Sequence, residues 1–306
     1  MLSVTTCVVC GSDETALTYA GLRYRKKPGD GAWDMHRCRV CGLLFVWPLP
    51  TDAEIAEVYA DTEYRAGNLT DHTTSPCELE HFVLDMLEEH QVKPPGRLLD
   101  VGCGAGHFLR LARSRGWQPL GQEIALHSVA FARDTYDLEI ITHSVPEMVA
   151  TLEPRSFDVV SLIGVIEHIP FPVEFLRTLG TLVKPGGALF IETDNVASWM
   201  HFVLRRNFPW IMPPEHLQLF TPASMDLLLQ RAGFARVGLK TKETIHPDAA
   251  VRGLSMFLGG DRRVPPGTLG IGRLATALAK PLQQALWAMN LGAQLYVLAQ
   301  PTGSPR

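Results

Sequence analysis

Leu98-Leu-Asp-Val-Gly-Cys-Gly-Ala-Gly-His-Phe-Leu109 is the stretch on which the reading of this chain turns. It opens as a short apolar run ending in a carboxylate, Asp100, which is the composition of a buried strand. Three glycines follow at every second position, Gly102, Gly104 and Gly106, and a helix-like pattern begins at His107. Glycine suits positive φ and places where a ligand comes up against the main chain. A helix start adds N–H groups and partial positive charge for a polar or anionic ligand. A dinucleotide fingerprint wants its third glycine one residue later, where this chain has His107. The loop is therefore shaped for a nucleoside ligand without a pyrophosphate. About twenty residues on, Glu123 closes the next apolar run, where doubly wound folds place the acid that accepts both ribose hydroxyls.

The flanking sequence repeats the rhythm of strand and helix. Strands are expected at Leu98–Val101, Trp117–Ile124, Glu139–Thr142, Phe157–Ile163, Ala188–Thr193, Phe234–Lys240 and Leu295–Ala299. Helices are expected at His107–Arg115, Ser128–Thr135, Pro172–Leu182 (stopped by Lys184-Pro-Gly-Gly187) and Ser224–Ala232. Continuous apolar strands alternating with helices mean an α/β, Rossmann-like, doubly wound sheet covered on both faces. A capping-box pattern, Thr51-Asp-Ala-Glu54, opens a short helix through about Ala60, and an amphipathic helix runs from about Ser75 to His90.

With 306 residues, 46% hydrophobic and 20% charged, the chain has room for roughly two domains and enough apolar mass to exclude wholesale disorder. A net charge of −4 argues against affinity built on neutralising nucleic-acid phosphates. No basic-then-apolar leader opens the chain, so a cytoplasmic protein is expected. The charge-free stretch after Lys280 is broken by Pro281, Gln283, Gln284, Asn290 and Gln294, unlike a membrane span of about 20 apolar residues.

Four of the six cysteines form two close pairs, Cys7-Val-Val-Cys10 and Cys38-Arg-Val-Cys41, each followed by glycine. Four thiolates in two such knuckles suit one tetrahedral, structural Zn²⁺, holding together a segment too short for its own core. The expected organisation is a zinc-binding module at 1–50, a helical linker or lid at 51–94, a core at 95–245, a helical insertion at 246–290 and a last strand with tail at 291–306.

The glycine loop with Asp100 and Glu123 resembles that of the class I S-adenosylmethionine-dependent methyltransferases. Ser156-Phe-Asp-Val-Val-Ser-Leu-Ile-Gly-Val-Ile-Glu-His168 looks like their fourth-strand motif, Leu182–Thr193 like the next turn and strand, and His216-Leu-Gln-Leu-Phe-Thr-Pro222 like the stretch entering the sixth strand. The resemblance implies a seven-stranded sheet whose last strand is antiparallel. It also implies S-adenosylmethionine as cofactor, with Asp100, Gly102, Gly104 and Gly106 on its methionine portion and Glu123 on its ribose. Ile124, Ser144, Val145 and Ile163 would line the rest, Ser144 and Val145 flanking the adenine. Many members carry an Asp near position 144 for the adenine amine, and this chain has His143-Ser144 instead.

Cys41-Gly-Leu-Leu-Phe-Val-Trp-Pro-Leu-Pro-Thr51, with Tyr59 and Tyr64, is similar to the N-terminal module of a subgroup that includes sugar C-methyltransferases and enzymes of natural-product and polysaccharide clusters. The sugar C-methyltransferases use a His as base in a stretch similar to Pro213-Pro-Glu-His216, which makes His216 the leading catalytic candidate. His168 is the second, and Glu215 or Glu167 would orient or replace the base. Tyr64 would either close over the cofactor or simply pack. The insertion carries five basic residues against two acidic ones, which suits a substrate lid, a grip on a phosphate-bearing or lipid-linked acceptor, a homodimer contact or a solvated helical decoration.

The expected acceptor is a small molecule methylated at C, O or N. One alternative is an RNA methyltransferase whose zinc module reads nucleic acid, although the module has only six Lys/Arg against four acids. The other is a non-catalytic binding protein on the same scaffold, for which a broken cofactor loop would be the mark.

Overall fold

A computed structural model describes residues 5–24, 31–51, 53–55, 78–242, 281 and 283–303. Three strands come first: β1 (Thr15–Leu22), β2 (Trp33–Cys38) and β3 (Leu44–Val46). The strands of the core are β4 (Arg97–Val101), β5 (Gln118–Gln122), β6 (Ile140–Ile141), β7 (Phe157–Ile163) and β8 (Val183–Asp194). After the short β9 (Gln218–Leu219), the core is completed by β10 (Phe234–Lys242) and β11 (Gln294–Pro301). The core sheet has the order β10-β11-β8-β7-β4-β5-β6, with β4 to β8 parallel and β11 antiparallel to both neighbours. The expected seven-stranded architecture is therefore present, last strand antiparallel.

Why these runs become strands of a two-faced sheet is visible residue by residue. Leu99, Val160, Leu162, Leu189, Ile191 and Val297 pack into one apolar cluster. Their chain neighbours Leu98, Val159, Ala188, Phe190 and Leu298 pack into the other. Alternate side chains of a strand point to opposite faces, so a strand buried on both sides reads as an unbroken apolar run. Each fully buried aliphatic chain contributes about 1.5–3 kcal/mol on leaving water.

The helices that flank the sheets include α1 (Glu78–Glu89), α2 (His107–Ser114), α3 (Leu126–Tyr136), α4 (Val145–Thr151), α5 (Pro172–Gly180), α6 (Trp199–Leu204) and α7 (Pro222–Ala232). Helix α1 buries Val83, Leu84, Met86 and Leu87 against the face that holds Leu98 and Phe190. The capping box at Thr51 is formed, with Glu54 accepting from the Thr51 N–H at 2.8 Å. The continuation of that helix to Ala60, Tyr59, Tyr64 and residues 246–280 and 282 of the expected insertion lie outside the described residues.

Three local differences from the sequence reading have physical causes. Lys184-Pro-Gly-Gly187 ends α5's connection but lies inside β8, as a bulge between the pairs Phe157↔Val183 and Val159↔Ala188. A Cβ on Gly187 would lie 2.9 Å from the Asp158 carbonyl, so only glycine fits there. Strand β2 and helices α4 and α6 were not expected: β2 carries polar His36 and Arg37, and the two helices are too short to show a period. The third difference concerns the module at 1–50. Its sheet, β1-β2-β3, is extended by β9, which is distant in sequence, with Leu44↔Leu219 and Phe45↔Gln218. Cys7, Cys38, Cys41 and Phe45 share one apolar cluster with Leu99 and Phe220, so the module packs into the same core as the large sheet.

Candidate active site and cysteine cluster

Strands β4, β5, β7 and β8 end at Val101, Gln122, Ile163 and Asp194, and in parallel sheets the carboxyl ends of the strands are where ligands sit. The glycine loop leaves β4 with φ of 69° at Gly102, 51° at Gly104 and 78° at Gly106. Side chains are excluded at the outer two: a Cβ would lie 2.7 Å from Val165 at Gly102 and 2.6 Å from Leu138 at Gly106. Gly104 has no atom within 4 Å of that position, so the loop's crest faces open space. A cofactor's adenosyl or methionyl portion has room against the bare backbone there.

Glu123 is tied into this loop. One carboxylate oxygen accepts from the Gly104 N–H at 2.9 Å, the other from the Ile124 and Ala125 N–H groups at 2.8 Å. Gln122, which the sequence reading passed over, accepts from the Gly102 N–H at 3.3 Å and donates to the His143 carbonyl at 2.9 Å. It links the glycine turn to the segment before α4. Ser144 and Val145 sit there, the Ser144 hydroxyl donating to Glu147 at 2.6 Å as part of a helix cap. Ile124 is exposed next to Glu123, and Ile163 is half-buried at the end of β7.

Asp100 is buried and accepts a 2.6 Å hydrogen bond from Ser161 on β7. Burial pushes its carboxyl up to about 7, with repulsion from Glu80 and Glu123 adding to the shift. A carboxyl held in that range is poised to ionise once a cation comes beside it. S-adenosylmethionine carries two, an ammonium and a sulfonium, so this donor set fits it.

The second cluster is assembled from separate segments. His216 is buried, and its Nδ1 lies 3.0 Å from Asp194 Oδ2 at the end of β8. The contact is short without the alignment of a full hydrogen bond, a geometry that ligand binding commonly tightens. His168 packs edge-on to His216 with ring centres 4.9 Å apart, and its Nδ1 is held 2.8 Å from the Glu215 carbonyl. Burial lowers the His168 pKa, and His216 adds to the effect, which keeps it neutral. Glu167 accepts from Thr193 at 2.8 Å and lies 3.9 Å from His168 Nε2. Glu192 and Asp194 are pushed well above the usual carboxylate range by burial and by neighbouring acids.

The acid in direct contact with His216 is therefore Asp194, whereas Glu215, one of the two acids expected to orient it, turns its carboxylate elsewhere and Glu167 stays close to both imidazoles. The Glu215 carboxylate accepts from the Tyr24 hydroxyl at 2.9 Å. Asp194 closes the run Glu192-Thr-Asp194 at a strand's carboxyl end, and that position was the available signal. Glu167, His168 and His216 also bring one donor atom each within 4.8 Å of one another.

At the N-terminus, Cys7, Cys10, Cys38 and Cys41 converge with all four sulfurs within 4.8 Å. The distances Cys7–Cys41 of 3.6 Å and Cys10–Cys38 of 3.4 Å are far longer than a disulfide and near the roughly 3.8 Å between thiolates on one tetrahedral Zn²⁺. A hydrogen bond from Cys41 holds Cys7 down at about 5, and donating it pushes Cys41 upward. Burial raises Cys10 to about 11. One thiolate among thiols is what such a cluster becomes without a cation, and the donor set fits zinc.

Comparison with known proteins places these features. A methyltransferase-domain family model matches residues 71–238. The ubiquinone biosynthesis O-methyltransferase of Burkholderia thailandensis is 29% identical over 181 residues, 56% of this chain and 77% of that protein. Its counterpart in Neisseria meningitidis is 30% identical over 163 residues, 49% of this chain and 68% of the relative. Among solved structures, the 1,6-didemethyltoxoflavin-N1-methyltransferase of Burkholderia thailandensis, which holds S-adenosylhomocysteine, superposes with a TM-score of 0.50 at 15% identity, covering 90% of this chain and 98% of that one. The [4+2]-cyclase SpnF gives 0.52 at 17% identity, with 84% and 99% covered. The likeness to these structures is one of fold, and a cyclase stands among them.

Proposed function

The chain belongs to this methyltransferase-domain family and is an S-adenosylmethionine-dependent methyltransferase, and from that premise we propose that it methylates a C, O or N atom of a small molecule, such as a sugar nucleotide or natural-product intermediate, with His216 as general base. The observation that carries this reading is the His216–Asp194 pair, buried at the same end of the sheet as the glycine loop. A recessed histidine suits an acceptor that enters a cavity, and the curated relatives' names point the same way. The ribbon, the part an RNA-reading enzyme would use, engages β3 with the core instead.

When bound, the cofactor supplies an electrophilic methyl on a sulfonium. Asp100 and the main chain at Gly102, Gly104 and Gly106 would hold its methionyl end, Glu123 its ribose, and Ile124, Ser144, Val145 and Ile163 its adenine side. His216 would take the acceptor's proton at Nε2 while Asp194 steadies the charge that forms on the ring. His168, neutral and edge-on, fixes the plane of His216. Glu215 acts through its carbonyl on His168. Cys7, Cys10, Cys38 and Cys41 would hold a structural Zn²⁺, which a reducing, cytoplasmic setting keeps supplied with thiols.

The test is cofactor turnover across sugar nucleotides and phenolic or polyketide scaffolds, with His216→Ala in parallel. For the productive acceptor, kcat should fall at least ~100-fold in the variant, the usual scale for a lost general base, with cofactor affinity within about twofold. A variant as active as the parent removes His216 as the base.

A further inference from the structure

We infer that the cysteine ribbon is a positioning element for the acceptor-side histidines, and that Tyr24 is its positioning residue in the site; this rests on the reading of His216 as the base. Residues 215–221 form a strap that carries Glu215 and His216 and continues into β9. On the ribbon side, β3 pairs with β9, and the Val46 N–H donates to the Leu217 carbonyl at 2.8 Å. Thr221 donates to the carbonyl of Cys41 at 3.2 Å, so the strap is tied directly to one of the four cysteines. Arg231, on the helix that follows, donates to the Val9 carbonyl inside the first knuckle at 2.7 Å. On the core side, the Leu217 N–H donates to the Glu167 carbonyl at 2.9 Å, and Gln218 donates to the Ile169 carbonyl.

His216 thus lies on a segment clamped between the knuckles and the end of β7. The knuckles set the position of β3: Cys38 N–H donates to the Leu43 carbonyl at 2.9 Å, and Gly42 N–H to the Cys38 carbonyl at 3.0 Å. The four sulfurs lie within 4.8 Å of one another around that turn, so a cation bound among them would fix it and its loss would free it. Loosening the knuckle frees β3, then β9, then the strap. Tyr24 adds a direct tether, because its hydroxyl fixes the Glu215 carboxylate at 2.9 Å while the same residue's carbonyl fixes His168. The glycine loop has no part in this chain of contacts. Ribbon damage should therefore reach acceptor turnover and leave cofactor binding intact.

The experiment uses the full-length, zinc-loaded chain and compares parent, Tyr24→Phe and His216→Ala, then parent protein stripped with a chelator and reloaded with Zn²⁺. Three quantities are read: kcat and acceptor KM, cofactor affinity by calorimetry, and the histidine ring signals in ¹H–¹⁵N spectra. Tyr24→Phe, which removes one hydroxyl and keeps the ring, should lower kcat ~10-fold, shift the acid limb of the pH profile and leave cofactor affinity within about twofold. Metal removal should broaden or move the His168 and His216 signals and abolish turnover with cofactor affinity retained; zinc should restore both. A Tyr24→Phe profile identical to the parent's overturns the inference, as does metal loss that removes cofactor binding in step with turnover, since the ribbon is then a brace for the whole fold. If His216→Ala itself turns over normally, the base assignment has failed instead.

Discussion

Asp100, the three glycines, Gln122 and Glu123 lie within one strand–loop–helix–strand unit, whereas the acceptor-side cluster draws Tyr24, Glu167, His168, Asp194, Glu215 and His216 from four distant parts of the chain. In the first set Glu123 is held by main-chain N–H groups: Gly104, Ile124 and Ala125 all donate to it. The second is held by side chains reaching between elements, and by a strap whose position depends on the ribbon. A site built on local backbone can stay constant while its partner half changes acceptor. That difference predicts two separable sets of defects.

The largest effect after loss of His216 itself belongs to Asp194. Asp194→Asn keeps the shape and removes the charge that steadies the imidazolium, so kcat should fall by about one to two orders of magnitude with cofactor affinity unchanged. Its acid limb carries a signature. The competent form has Asp194 ionised, and burial with its neighbouring acids pushes that carboxyl well above the usual range, so parent activity rises with pH as the carboxyl gives up its proton. In Asp194→Asn that limb should move to lower pH, because the upshifted carboxyl that set it is gone. An unmoved limb would mean that Asp194 does not set it.

Glu123→Ala tests the other half. It removes the acceptor of three N–H groups and the expected ribose partner, so cofactor affinity should weaken ~10-fold, with kcat at saturating cofactor close to the parent's. A fall in kcat as large as that of Asp194→Asn would erase the division between the halves.

The same contrast explains what the sequence made legible. Strand β7 and the glycine turn were placed to the residue, because an apolar run and a glycine pattern are local signals. The convergence of four cysteines was legible from two short spacings. The partner of His216 was not, because nothing within one segment says that the end of β8 faces the residue after Pro213-Pro-Glu215. Nor was β9: two residues, Gln218 and Leu219, have no period, and they become a strand only because β3 is there to pair with them. The cysteine module was expected to hold its own short segment together, and tertiary pairing also ties it to the strap carrying the candidate base.

The smallest expected effect concerns Asp100. In the free protein its carboxyl is held at about 7, above the ordinary 3.8, so the unliganded fold loses stability as pH rises from about 4 towards 7 and is level beyond. A cationic ligand beside it favours the ionised form. Cofactor affinity should therefore strengthen as pH rises towards 7, by at most tenfold per unit, and weaken again as pH falls.

Calorimetric titration of S-adenosylmethionine into the zinc-loaded chain at pH 8 and pH 6 puts the glycine loop's role to the test most directly. One saturable site per chain is expected, tighter at pH 8, with a proton released on binding at pH 6. Zinc-replete protein that takes up no cofactor at either pH would contradict the account.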